Sequence, residues 1–200
     1  MYLPKFEKVT GKDELREALM NVCITEEYTV ATDAHILTWQ KADFPVDLID
    51  FIRSEIQVFI PGEQWKKISG KDIGFIAVDK HALVFKDKKK CSKIFVEYTT
   101  KETADFRYPQ WESVLPVDLK TKKSVLEIQP LPAIGFNPSY LDRIRQAFDL
   151  TMNSCFRLDF FGTNRPILVT HETSDKVHFS EKGAILMPAT LEASYGFEWL

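Results

Sequence analysis

The feature that most constrains this chain is an order of elements met three times: a strand, a short helix, then three strands. In the first pass, residues 5–9 read as a strand, Thr10 as a cap, and 12–20 as a helix with Leu15, Ala18 and Leu19 on one side. Strands follow over 21–25, 28–33 and 35–41, the first two joined at Glu26-Glu27, and 44–53 reads as a connecting helix. In the second pass, 56–60 is a strand and 61–68 a short helix with proline in its first turn. Its three strands cover 73–78, 82–86 and 92–99, with turns at 79–81 and 87–90. In the third, a strand ends at 134–136 and Asn137-Pro138 opens a helix, Asn as cap and Pro at its first position. That helix, 139–148, carries Tyr140, Leu141, Ile144 and Phe148 on its apolar side, and strands follow over 155–161, 166–171 and 184–191.

Repetition at about 50 to 75 residues, in shape rather than in sequence, implies an α+β fold built from strand-helix-three-strand units. Helices lie on one face of antiparallel sheets. Two units form a domain over 1–116, residues 117–123 form a linker carrying Lys120, Lys122 and Lys123, and 124–200 form a lone unit. One unit cannot bury both faces of its own sheet. It therefore packs on the first domain or continues a sheet in another chain.

Composition supports a packed core: 44% of residues are apolar and 28% charged, which excludes a disordered or low-complexity chain. No apolar run is long enough to span a membrane, and the Met1-Tyr2-Leu3-Pro4-Lys5 start lacks the apolar segment of a secretion signal. Cys23, Cys91 and Cys155 are odd in number and widely spaced, which argues against a disulfide framework and for a reducing, cytoplasmic setting. With 26 basic and 29 acidic residues, net charge points to no polyanionic partner. The distribution is less even. Lys86, Lys88, Lys89, Lys90 and Lys93 are opposed locally by Asp87 alone, a pattern that fits a solvated hairpin turn or one basic face.

Nothing in the chain reads as catalytic. His35, His81, His171 and His178 form no metal-spaced pair, and no Cys-x-x-Cys, phosphate loop, Gly-x-Ser-x-Gly or Gly-x-Gly-x-x-Gly occurs. No cofactor or metal is expected. Asp33 reads as a turn-former, because its carboxylate can bond the backbone ahead of it.

Four stretches, in order, resemble one family, the bacterial DNA polymerase III beta subunit or sliding clamp. Val30-Ala31-Thr32-Asp33-Ala34-His35-Ile36-Leu37 is similar to the family's V-A-T-D-G-H-R-L. Phe106-Arg107-Tyr108-Pro109-Gln110-Trp111-Glu112-Ser113-Val114-Leu115-Pro116 resembles F-P-D-Y-x-x-V-L-P with one residue inserted. Gly135-Phe136-Asn137-Pro138-Ser139-Tyr140-Leu141 is similar to G-F-N-x-x-Y-L, and Ile185-Leu186-Met187-Pro188-Ala189-Thr190-Leu191 to the closing V-M-P-M-R-L. By this resemblance, 1–116 matches the clamp's middle domain and 124–200 the second half of its last domain. Three units stand where a clamp subunit has six, too few for the usual two-chain ring.

The resemblance implies a non-enzymatic protein of DNA replication or repair. In the family, an apolar pocket between middle and last domains takes a short peptide from polymerases and repair proteins. The matching residues here are Thr32, Ala34, His35, Ile36, Leu37, Pro116, Leu186, Met187 and Pro188. Ala34 stands for the family's Gly and Ile36 for its Arg, which shifts recognition toward apolar contact. If the helices face duplex DNA, Lys12, Arg16, Lys66, Lys67, Arg143 and Arg145 are candidates for sequence-independent phosphate contacts. Residues 192–200 add three aromatics and a terminal Leu, readable as a tail over the pocket or as a last strand on the sheet. Unpaired strand edges make a homo-oligomer, and a ring of several chains, a further expectation. The competing reading is a clamp-fold structural or interaction protein with neither a DNA nor a peptide-tethering role.

Overall fold

The computed structural model describes residues 1–121, 123–126, 135–152, 154–162, 165–171 and 181–188. Expectations at Lys122, Ile134, His178, Ala189, Thr190, Leu191 and the 192–200 tail lie outside the described residues.

An eight-stranded antiparallel sheet is the backbone of the structure. The chain runs β1 (Asn21–Ile24), β2 (Tyr28–Thr32), β3 (Ile36–Lys41), α1 (Val46–Glu55), β4 (Val58–Pro61) and α2 (Gly62–Trp65). It continues through β5 (Ile73–Asp79), β6 (Ala82–Asp87), β7 (Lys93–Glu97), β8 (Thr99–Thr100), β9 (Val117–Asp118) and β10 (Lys123–Ser124). Last come α3 (Pro138–Ala147), β11 (Phe156–Asp159), β12 (Ile167–His171) and β13 (Lys182–Leu186). The large sheet has the order β11-β12-β13-β3-β2-β1-β4-β8, beside a three-stranded sheet β5-β6-β7 and a β9-β10 hairpin that covers the expected linker 117–123 and one residue beyond it. The third unit thus continues the first unit's sheet inside the same chain, β13 pairing with β3 from Leu186↔Ile36 to Lys182↔Gln40. Among the described residues, no helix is long and apolar enough to cross a membrane.

Both faces of the large sheet are covered, so its strands read as nearly unbroken apolar runs. Alternation assigns each residue to a side. Val22, Ile24, Ala31, Ile36, Val58, Ile60, Ala184 and Leu186 pack with Leu48 and Ile52 of α1, Trp65 of α2, and Ile144 and Ala147 of α3. Cys23, Val30, Leu37, Trp39, Phe59 and Ile185 face the other way, against Tyr108, Trp111, Leu115 and Val117 of the extended segment after β8. Helices therefore line one face, as expected, and irregular chain covers the other.

The first unit departs from expectation at its start. Residues 5–9 are not a strand: Phe6–Lys8 forms a 3-10 turn, because Phe6 and Val9, three apart, are both fully buried. Tyr2 instead bridges to Asp72 at the β5 side. Nor is 12–20 an α-helix. Glu14–Met20 is 3-10, broken at Arg16, and Leu15 is 95% exposed. The Asp13 carboxylate takes the Leu15 N–H, and the Gly11 N–H reaches the Leu19 carbonyl at 2.7 Å, so local bonds replace the helical ladder. In the second unit, Pro61 ends β4 and precedes α2 rather than starting it, and α2 stops at Trp65, four residues long. The helix of the third unit forms as read, with the Asn137 side chain accepting from Ser139 N and proline in the first turn.

Candidate functional site

The site begins with a five-residue turn, Thr32–Ile36. Asp33 Oδ1 accepts from the N–H groups of His35 and Ile36, both at 2.9 Å, and Thr32 Oγ1 donates to the Ile36 carbonyl at 2.8 Å. Ala34 N donates back to Thr32 Oγ1 at 3.1 Å. This closed set of bonds holds Ala34 at φ +77°, a left-handed conformation that a side chain resists. Thr32 is buried; Ala34 and His35 are exposed.

Helix α3 clasps that turn from the side. Arg143 Nη1 reaches Asp33 Oδ2 at 2.5 Å, while its Nε and Nη2 donate to the carbonyls of Lys8 and Val9 at 2.8 and 3.2 Å. His35 stacks on Tyr140 with ring centroids 5.6 Å apart, and the Arg143 guanidinium lies 5.9 Å from the same ring. Asp33 is thus more than a turn-former, and no local signal connects it with a residue 110 positions away.

The β3–β13 seam then carries the remaining candidates. Met187 N bonds the His35 carbonyl at 2.8 Å, which extends the strand pairing past Leu186. Of the nine candidate pocket residues, His35, Ile36, Leu37, Leu186 and Met187 pair across this seam and Pro188 follows it; Thr32 ends β2, Ala34 lies in the turn, and Pro116 sits between Leu115 and Val117, which share a cluster with Leu37. Strand alternation divides them. Ile36 and Leu186 point to the helix side, Leu37 to the opposite one. Ile185, absent from the expected set, accompanies Leu37 there, and period-two counting along β13 identifies it. Ile36, Leu37, Pro116 and Leu186 are buried; Met187 and Pro188 are half-buried.

An open groove of about 980 Å³ runs along the helix side of the turn. Four of the six candidate phosphate-contacting residues line it: Lys12, Arg16, Lys66 and Arg143, joined by Lys8 and His35. Lys67 and Arg145 do not: Lys67 bonds Gln64, and Arg145 bonds Asp142 and the Leu150 carbonyl. Glu7, Asp13, Asp33 and Glu63 share the groove, so its charge is nearly balanced. Among the described residues, Lys8, Lys12 and Lys66 have no ion pair, whereas Arg143 is bound to Asp33. No group of three or more His, Cys, Asp or Glu that could hold a metal occurs among the described residues.

No family model and no curated relative matches the sequence. Solved structures do match. The DNA polymerase III subunit beta of Borrelia burgdorferi, in complex with a natural product, aligns with TM-score 0.60 and 12% identity over 94% of this chain and 62% of its own. The fold is that of a bacterial sliding clamp. The Bacillus subtilis clamp aligns with TM-score 0.56 and 17% identity over 95% of this chain and 64% of its own. The Helicobacter pylori beta clamp bound to a DNA ligase peptide gives 0.55 and 13% over 95% and 65%. This chain therefore spans somewhat under two thirds of the length of these clamps, and the clamp resemblance read from four short stretches holds at the level of fold.

Proposed function

We propose that this chain is a sliding-clamp-like, non-enzymatic protein of DNA replication or repair that docks short hydrophobic peptides of partner proteins at the β3–β13 seam. One observation carries the reading: Met187 N on the His35 carbonyl joins two segments about 150 residues apart, the same two that the family resemblance marks as pocket walls. A clamp of this fold bound to a DNA ligase peptide supports the partner class. Met187 suits the role, since an unbranched thioether adapts to different side chains. Duplex DNA is a second, weaker partner, through Lys8, Lys12 and Lys66 in a groove whose balanced charge limits affinity.

The test is a fluorescence titration of the full chain with a consensus clamp-binding peptide. Binding is expected to fall at least tenfold with Met187→Asp, about 1.4 kcal/mol, and to change little with added salt. Equal binding by the variant would refute docking at the seam. A second reading has its own support: Leu37 is 4% and Ile185 2% exposed, as in a closed core. On that reading the chain is a clamp-fold structural module, and the wild-type titration shows no binding.

A further inference from the structure

We propose that the outer face of the three-stranded sheet docks an acidic peptide segment of a partner protein, its carboxylates on Lys86 and Lys93 and an apolar side chain on Phe95. The surface is separate from the seam and from the groove, and the inference does not depend on peptide docking at the seam. It rests on a like-charge pair, an exposed aromatic ring beside it and the spacing between them.

Strand alternation defines the face. Leu83, Phe85 and Val96 pack in the helix-side core, so Val84 and Lys86 of β6 and Lys93, Phe95 and Glu97 of β7 lie on the opposite side. Register sets the face out in three rows. Gly74, Lys86 and Lys93 form a basic row nearest the hairpin tip, Ala77, Val84 and Phe95 an apolar row, and Asp79, Ala82 and Glu97 an acidic row. Among the described residues, Val84 and Phe95 join neither core cluster, and Phe95 is 53% exposed. A Cβ on Gly74 would meet nothing closer than the Lys88 Cε at 4.0 Å, so the basic row is open beside Lys86.

The lysine pair is the unusual element. Asp87 N bonds the Ser92 carbonyl at 2.9 Å, and bonded and non-bonded pairs alternate along an antiparallel ladder. Lys86–Lys93 is therefore a non-bonded pair, the kind that brings side chains closest. Like charges directly opposite one another destabilise a sheet. Among the described residues, no acid relieves them. Asp87 lies on the other face, 6% exposed, with its Oδ1 taken by the Lys89 and Lys90 N–H groups at 2.9 and 3.0 Å. Asp72 is paired with Lys88 and the N-terminal amine. Lys71, Lys89 and Lys90 add to the same end of the sheet, and among the described residues none of them has an ion pair.

Row spacing selects the ligand. Successive rows are two residues apart along each strand, about 7 Å. An extended peptide has the same period, so a carboxylate and an apolar side chain at alternate positions meet the lysine pair and Phe95 together. Asp79 and Glu97, the latter bonded by Gln64 at 3.1 Å, stand one row past Phe95 and repel a strand whose charge repeats at every nucleotide. A peptide can confine its negative charge to the lysine end.

Fluorescence anisotropy of a labelled Glu-Thr-Glu-Thr-Phe-Thr peptide with the full chain tests this. Binding is expected to saturate, to weaken with added salt, and to be lost when the probe carries Gln for both Glu. Lys86→Gln and Lys93→Gln, each folded by circular dichroism, are expected to weaken it several-fold singly and about tenfold or more together. The same variants are expected to unfold at higher urea concentration, because each removes a like-charge pair. Phe95→Ser is expected to weaken binding with the salt dependence kept. A wild type that does not bind, or that binds the Gln probe equally, overturns the proposal, as do variants that bind like the wild type. Tighter binding of a labelled oligo-dT strand than of the peptide overturns the choice of partner. Lysine variants that unfold more easily overturn the reading of Lys86–Lys93 as a pair held against its own repulsion.

Discussion

Arg143 on α3 reaches the Asp33 carboxylate in the β2–β3 turn at 2.5 Å, tying the third unit of the chain to the first. The pair is partly buried, with side-chain exposures of 29% and 11%, so solvent screens it less than a surface pair. Removing either partner leaves the other's charge partly buried without its counter-charge, though the backbone bonds of each remain. Arg143→Ala and Asp33→Asn are each expected to cost about 1–3 kcal/mol in urea unfolding, with strong non-additivity in the double variant. Arg143→Lys is expected to rescue little, because the guanidinium also serves the Lys8 and Val9 carbonyls.

Ala34 gives a prediction of opposite sign. Its φ of +77° strains a residue with a Cβ, and the position is exposed, so no packing is lost by trimming it. Ala34→Gly relieves about 1–2 kcal/mol of strain against a smaller rise in unfolded-chain entropy. A higher urea midpoint with an unchanged slope is the expected result.

Legibility along the chain follows how locally each element is determined. Helix α3 was readable because Asn137 and Pro138 supply cap and first turn next to an apolar stripe. Most strands were readable because burial on both faces leaves long apolar runs bounded by turn residues. The segment 12–20 is illegible in the sequence, since its three apolar residues suit a helix by spacing but local bonds from Asp13 and Gly11 decide its path. The pocket candidates were found through family motifs, yet their division between two faces needed the register of β3 on β13. Helix position and basic charge mark Arg143 in the sequence; its partner Asp33 becomes visible only once the chain has folded.

Gly183 and Trp39 are cross-strand partners on that seam, and a Cβ on Gly183 would come within 2.6 Å of the indole ring. Trp39 is fully buried and has no room to retreat. Gly183→Ala is expected to destabilise the protein by about 1–3 kcal/mol through overpacking. Because the clash is with a single ring, the double variant with Trp39→Phe should lose less than the two single losses together, and unfolding of all four proteins measures the coupling.

Asp149 governs how stability responds to acid at the other end of α3. It takes the left-handed position after the helix, at φ +55°, with Leu150 N on the Arg145 carbonyl and Asp149 N on that of Gln146. From there its carboxylate accepts from Lys5 Nζ at 2.6 Å and Tyr2 Oη at 2.5 Å, and these two bonds lower its pKa below the ordinary carboxylate value. A depressed folded-state pKa means the contribution is complete above the unfolded value of about 3.9 and disappears as pH falls through the folded one. Lys5 and Asp149 are 34% and 45% exposed, so screening keeps the effect below about 1 kcal/mol. Asn tolerates the left-handed backbone as Asp does, which makes Asp149→Asn a change of charge with little change of strain. The variant is expected to unfold more easily at pH 7 and to converge with the wild type only as pH falls through the depressed folded-state pKa, below the unfolded value of about 3.9. A gap that persists unchanged at low pH would locate the loss in the backbone turn rather than in the carboxylate.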